Sequence, residues 1–204
     1  MSSMRLLVLG LLMEGDKHPY EIRQTIKARS WNESFKLRDG SLYYAVDQLR
    51  DNGLIEAAEV VPVPGDNRPD KTIFRITDAG KSVFKKLLYQ QMGQNAYPQH
   101  PVFMALPFVR HGQAETVLPL LEAQIANCDA RRKRLGEVLK LKSSYLPGGS
   151  VQMIEGFIRF SETERKWLEQ LVAAAQSGNL FEGPKWTPEQ LEAYSRQLDK
   201  PEHP

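Results

Sequence analysis

Arg38-Asp39-Gly40-Ser41-Leu42-Tyr43-Tyr44-Ala45-Val46-Asp47-Gln48-Leu49-Arg50-Asp51-Asn52-Gly53-Leu54-Ile55 is the stretch whose reading decides the fold. Leu42, Val46 and Leu49 fall at i, i+4 and i+7, one apolar stripe of a short amphipathic helix. Ser41, Tyr44, Gln48 and Asp51 lie off that stripe, so the outer face carries hydroxyls and an amide. Asp39 or Gly40 supplies the N-cap, and Asn52-Gly53 stands where a left-handed C-cap belongs. Leu54-Ile55 then begins a different period. A short helix with a polar outer face that feeds a β-hairpin is how a winged helix reads DNA. An ordinary surface helix shares the first half of that description, so the flanking sequence has to separate the two.

Upstream, Met4 to Glu14 is apolar nearly all round (Leu6, Leu7, Leu9, Leu11, Leu12) and reads as a buried first helix. Gly10 and Glu14-Gly15-Asp16 argue against a signal peptide. Pro19 suits the first position of a second helix, with Tyr20, Ile22 and Ile26 inward and Glu21, Arg23, Gln24 and Lys27 outward. Trp31 to Leu37 joins it to the opening stretch, with Trp31 and Phe35 as core anchors. Three short helices joined by tight turns form a helix-turn-helix core.

Downstream, Leu54 to Val63 is valine-rich, residues 65–70 are a turn cluster, and Lys71 to Ile76 alternates like a strand. Two strands around a polar basic tip make a wing. Thr77 then caps a helix containing Gly80, Val83, Phe84, Leu87 and Leu88 that closes near Gln91. The order α-α-α-β-β-α is that of a winged helix-turn-helix domain over residues 1–92. Residues 93–112 are rich in proline and glycine, yet too apolar for a free linker, and read as a docked connector. Residues 113–180 hold two long helices broken at Pro147-Gly148-Gly149. In the first of them Leu118, Leu121, Ile125, Cys128, Leu135 and Leu139 keep 3-4 spacing, with Arg132 in the seam. So thin an antiparallel hairpin has little core of its own, and pairing across a two-fold is the economical solution, with that seam as the dimer interface. Residues 181–204 form a tail whose Thr187-Pro188-Glu189-Gln190 starts a helix to about Leu198. The fold class is mainly α with a small two-stranded β-wing.

The 204 residues include 27 Lys and Arg against 25 Asp and Glu, a net charge of +2, and the excess lies wholly in residues 1–92. That permits nucleic-acid binding through a local patch. No run approaches the ~18 apolar residues of a membrane span, and a lone cysteine, Cys128, points to the cytoplasm. The histidines His18, His100, His111 and His203 are scattered without the helical spacings of a metal face, and read as solvated. Cys128 on an apolar seam reads as a buried, inert thiol. There is no G-x-S-x-G, Walker or G-x-G-x-x-G segment, so neither enzyme activity, a metal nor a cofactor is expected. The candidates for DNA contact are stronger. Lys36 and Arg38 precede the reading helix and Arg68 and Lys71 sit at the wing, where cations neutralise phosphates. Ser41, Tyr43, Tyr44 and Gln48 can reach phosphates or base edges, with the Tyr43 ring expected to belong to the core and only its hydroxyl to be exposed.

Leu9-Gly10-Leu11-Leu12, His18-Pro19-Tyr20-Glu21-Ile22, Gly40-Ser41-Leu42-Tyr43, Leu49 and Gly53-Leu54-Ile55 resemble the motifs of the PadR family of bacterial transcriptional regulators. The wing, Arg68 to Gly80, is similar to that family's K-x-x-Y-x-I-T-x-x-G pattern. Two residues depart from it: Pro19 stands where the family usually has glycine, and Tyr44 where it often has proline. The C-terminal half resembles the family in architecture alone. The resemblance implies a homodimeric repressor on a two-fold operator, often near its own gene, which in some relatives leaves DNA on binding phenolic acids or other aromatic or cationic drugs. Phe103, Phe108, Phe157, Phe160 and Trp167 are the candidates to line an effector cavity between the two halves, with plain dimer core as the alternative. Two other readings stay open: a regulator of the MarR type, whose long dimer helices flank the head on both sides, and a winged helix used for protein–protein contact without DNA.

Overall fold

Helix α1 (Ser2–Met13) buries Met4, Val8, Leu9, Leu11 and Leu12, and around them the first of two compact units, Met1–Tyr97, is assembled. The computed structural model describes residues 2–31, 35, 37, 40–61, 71–96, 99–183 and 185–198. Helix α2 (Pro19–Ala28) turns Pro19, Ile22 and Ile26 inward. Its N-cap is His18, whose Nδ1 accepts the Tyr20 N–H at 3.1 Å while Glu21 Oε2 accepts the His18 N–H at 2.8 Å. His18, expected to be solvated, is therefore half of a capping box. Tyr20, expected inside, is 51% exposed; two residues from Ile22, it lies about 200° round the helix. Phe35 is likewise open at 40%: Trp31 packs on the core, and the Phe35 ring lies against it with centroids 6.2 Å apart.

Helix α3 (Gly40–Asp51) buries Leu42, Ala45, Val46 and Leu49 against α1 and α2. It stops in a Schellman turn: the Leu54 N–H bonds Leu49 O and the Gly53 N–H bonds Arg50 O, both at 2.9 Å, with Gly53 at φ +67°. Both Leu49 and Leu54 are buried, which seals the turn. Alanine at position 53 keeps the hydrogen bonds but strains the backbone, and Gly53→Ala is expected to cost about 1 kcal/mol in urea unfolding.

Strands β1 (Ile55–Val61) and β2 (Lys71–Ile76) pair antiparallel from Ile55↔Ile76 to Val61↔Lys71, with a bulge between Ala57 and Glu59. The wing tip, including Arg68, lies outside the described residues. Lys17 and Phe74 exchange backbone bonds of 3.0 and 3.1 Å, and Arg75 grips Asp16 at 2.6 Å, so the α1–α2 turn forms a single β-bridge to β2 that braces the wing. Thr77 caps helix α4 (Asp78–Met92) through Oγ1, which accepts the Gly80 N–H at 3.1 Å and donates to Gly53 O at 2.9 Å. Val83, Phe84 and Leu87 pack on the core, whereas Leu88 is at its edge, 36% exposed.

The second unit, Pro98–Pro204, is built on a helical hairpin. Helix α5 (Pro101–Ala105) and a 3-10 turn (Leu106–His111) lead into α6 (Ala114–Lys142), which carries Pro119 early enough for the helix to continue. Helix α7 (Gly148–Gln176) returns along it, burying Ile154, Ser161, Leu168 and Ala175 at seven-residue intervals, with Leu168 packed against Leu121 and Cys128 of α6, themselves seven apart. That heptad spacing is the seam of an antiparallel coiled pair. Helix α8 (Pro188–Leu198) begins in the expected capping box, with Thr187 Oγ1 accepting from Gln190 N at 3.3 Å and Gln190 Oε1 from Thr187 N at 2.9 Å.

Candidate nucleic-acid interface

At about 100° per residue, the four buried positions of α3 span one side, and Gly40, Tyr44, Asp47 and Asp51 fall squarely opposite. Tyr43 and Gln48 flank that face. Ser41, Tyr43, Tyr44 and Gln48 are all exposed, Tyr44 at 54%. Tyr43, whose ring was expected in the core, is 47% exposed, because it stands about 100° round the helix from Leu42, at the edge of the buried stripe. Lys71 opens β2 as an exposed cation opposite Val61. Lys36, Arg38 and Arg68 lie outside the described residues. The helix carries little positive charge of its own: Arg50 is held by Asp51 at 3.0 Å and approaches Asp47 at 3.4 Å.

The five aromatics expected to line an effector cavity are not all brought together. Phe103 and Trp167 meet with ring centroids 4.7 Å apart, but Phe108 and Phe160 are 69% and 77% exposed. A hollow of about 310 Å³ is lined instead by Trp186, Gln190, Ala193 and Tyr194, where none of the five sits. Two of the six seam residues expected at a dimer interface are already covered within the chain. Leu121 and Cys128 are buried inside the hairpin against Leu168, and a side chain already removed from water adds no interface area. Ile125 packs against the same cluster, and Leu118, Leu135 and Leu139 are half-buried.

A polar node in the second unit was not read from the sequence. Arg131 Nε donates to Ser161 Oγ at 2.6 Å, and its Nη2 donates to Glu164 and to Cys128 Sγ. His100 is the N-cap of α5: Nδ1 accepts the Val102 N–H at 3.3 Å, which leaves Nε2–H to donate to Glu164 Oε1 at 3.1 Å. The imidazole stands edge-on to Trp167 at 5.1 Å. Burial, and then the charge of Glu164, push the Cys128 thiol up, away from the reactive thiolate. A cap signal was present, because His18-Pro19 and His100-Pro101 both place an imidazole just before a proline that starts a helix. Among the described residues no group of His, Cys, Asp and Glu could hold a metal ion, and no helix is long and apolar enough to cross a membrane.

A three-helix head whose last helix runs into a braced two-stranded wing is a winged helix. The sequence model of the transcriptional regulator PadR-like family matches residues 8–86. An uncharacterized protein of Lysinibacillus sphaericus is 33% identical over 82 residues, covering 40% of this chain and 72% of that protein. The structure of Bacillus subtilis PadR in complex with operator DNA has a TM-score of 0.67 at 18% identity, covering 85% of this chain and 99% of that one. The same protein in complex with p-coumaric acid has a TM-score of 0.64 at 19% identity, covering 85% and 98%. The chain belongs to the PadR-like family of transcriptional regulators.

Proposed function

We propose that this chain regulates transcription as a cytoplasmic homodimer that represses from a two-fold operator. Residues 1–92 bind DNA, 93–112 connect, 113–180 dimerise and sense an effector, and 181–204 form a tail. The observation that carries the reading is the open outer face of α3, held rigid by the Schellman turn and the braced wing. Ser41, Tyr43, Tyr44 and Gln48 read from that face, while Lys36, Arg38, Arg68 and Lys71 neutralise phosphates. The complex of Bacillus subtilis PadR with operator DNA supports this use of the fold.

Electrophoretic mobility against the chain's own promoter region tests it. A sharp shift that weakens with salt is expected. Lys71→Ala should lower affinity for all sequences alike, whereas Tyr44→Ala or Gln48→Ala should relax preference at single positions by roughly tenfold. No binding at low salt would favour the rival reading, a protein-interaction module, which the two carboxylates and single arginine of α3 favour. Dimerisation draws on the partly exposed seam residues Leu118, Ile125, Leu135 and Leu139 together with Leu141, Tyr145 and Phe160, which are at least 72% exposed, more than a lone hairpin should leave open. The effector is a small aromatic such as a phenolic acid, for which the Phe103–Trp167 contact and the p-coumaric acid complex of Bacillus subtilis PadR are the support. Thermal shifts across a set of phenolic acids test this part, and a flat response would remove it.

A further inference from the structure

The geometry points to Asp47 as a base-reading residue whose carboxylate accepts the 4-amino group of a cytosine in the major groove. This inference rests on the DNA-binding reading above. Asp47 stands on the outer face of α3 one turn beyond Tyr44, opposite the buried stripe of Leu42, Ala45, Val46 and Leu49. Its side chain is 57% exposed. The obvious alternative role is as partner to Arg50. But Arg50 makes its hydrogen bonds to Asp51, through Nε at 3.1 Å and Nη2 at 3.0 Å, and reaches Asp47 only at 3.4 Å. The ion pair that Arg50 does make with Asp47 is solvent-exposed, and so weak enough for a base donor to replace it on that outer face.

A carboxylate at that position is costly beside phosphates unless it takes a hydrogen bond, and it can only accept. The major groove presents two amino donors, cytosine N4 and adenine N6. On adenine the donor sits beside N7, an acceptor that repels the second carboxylate oxygen, whereas on cytosine its neighbour is a C–H. Guanine and thymine present O6 or O4 and are rejected outright. The same charge that weakens non-specific binding thus sharpens discrimination, because repulsion from phosphate is common to every sequence and relief comes only at cytosine.

The test is selection of the full chain on a randomised duplex library, followed by affinities for the enriched site and its single-base variants. The unsubstituted chain should require cytosine at one position of each half-site by about tenfold. Asp47→Ala should flatten that one position and leave the others unchanged, and Asp47→Asn should move it toward adenine, to which asparagine bonds through N6 and N7. Arg50→Ala should leave the cytosine in place. Thermal melts of each variant control for folding. A cytosine preference that survives Asp47→Ala, a uniform rise in affinity with no change at any position, or loss of the preference in Arg50→Ala would each overturn the assignment. Failure of the unsubstituted chain to enrich any sequence at low salt would overturn the DNA-binding reading itself, and this inference with it.

Discussion

Replacing Gly80 with alanine is expected to destabilise the first unit by about 3 kcal/mol, at the upper end of overpacking costs. A Cβ at this position would lie 2.0 Å from the Leu54 carbonyl oxygen and 2.8 Å from Ile76 Cγ1. No rotamer change relieves the first contact, since the atom is backbone and already accepts the Thr77 N–H at 3.1 Å. Either α4 lifts from the sheet or the start of β1 moves. Because Leu54 follows Gly53, which ends α3, either movement displaces the outer face of α3 from the wing, so DNA affinity should fall with stability. Urea unfolding measures the effect. A change under about 0.5 kcal/mol would mean that the junction yields freely, contrary to the packing density of protein interiors. The same substitution at Gly136, inside α6 with nothing within 4 Å of the added atom, should instead stabilise by up to ~1 kcal/mol through helix propensity.

Local chemistry made the first unit legible. The i, i+4, i+7 stripe at Leu42, Val46 and Leu49 placed α3, Asn52-Gly53 placed its end, and the alternation from Lys71 to Ile76 placed β2 at its observed bounds. The outward set Ser41, Tyr44 and Gln48 follows from the same step of about 100°, and that step also puts Asp47 on the face, where Asp51 was the one carboxylate named. Tyr20 and Phe35 went wrong for a shared reason: an aromatic was assigned to the core by its type alone. The polar node could not be read at all. Its members Arg131, Ser161 and Glu164 meet only because α7 folds back along α6, and His100 is 64 residues from its carboxylate. Long-range polar pairing leaves no periodic trace in sequence, whereas the caps at His18 and His100 do, in the two His-Pro steps.

Glu164→Leu is expected to cost about 2–3 kcal/mol, by the penalty for leaving charged or donor groups without acceptors. The substitution removes the acceptor of two donors at once, Arg131 Nη2 and His100 Nε2–H. Ser161 Oγ still takes Arg131 Nε at 2.6 Å, and the Arg131 side chain is 37% exposed, so water recovers part of the loss and the cost stays below that of a fully buried pair. Glu164→Gln keeps an acceptor and should cost about 1 kcal/mol, the net worth of an ordinary hydrogen bond. Pairing Glu164→Leu with Arg131→Leu should cost less than the sum, because the second change removes the cation that the first left stranded. Near-UV circular dichroism adds a local readout, since His100 stands edge-on to Trp167 and its release would alter that ring's surroundings. If the single and double variants melted together with the unsubstituted chain, the node would contribute nothing to stability. Its role would then be the one polar residues have in coiled seams, fixing which residues of α6 face which of α7.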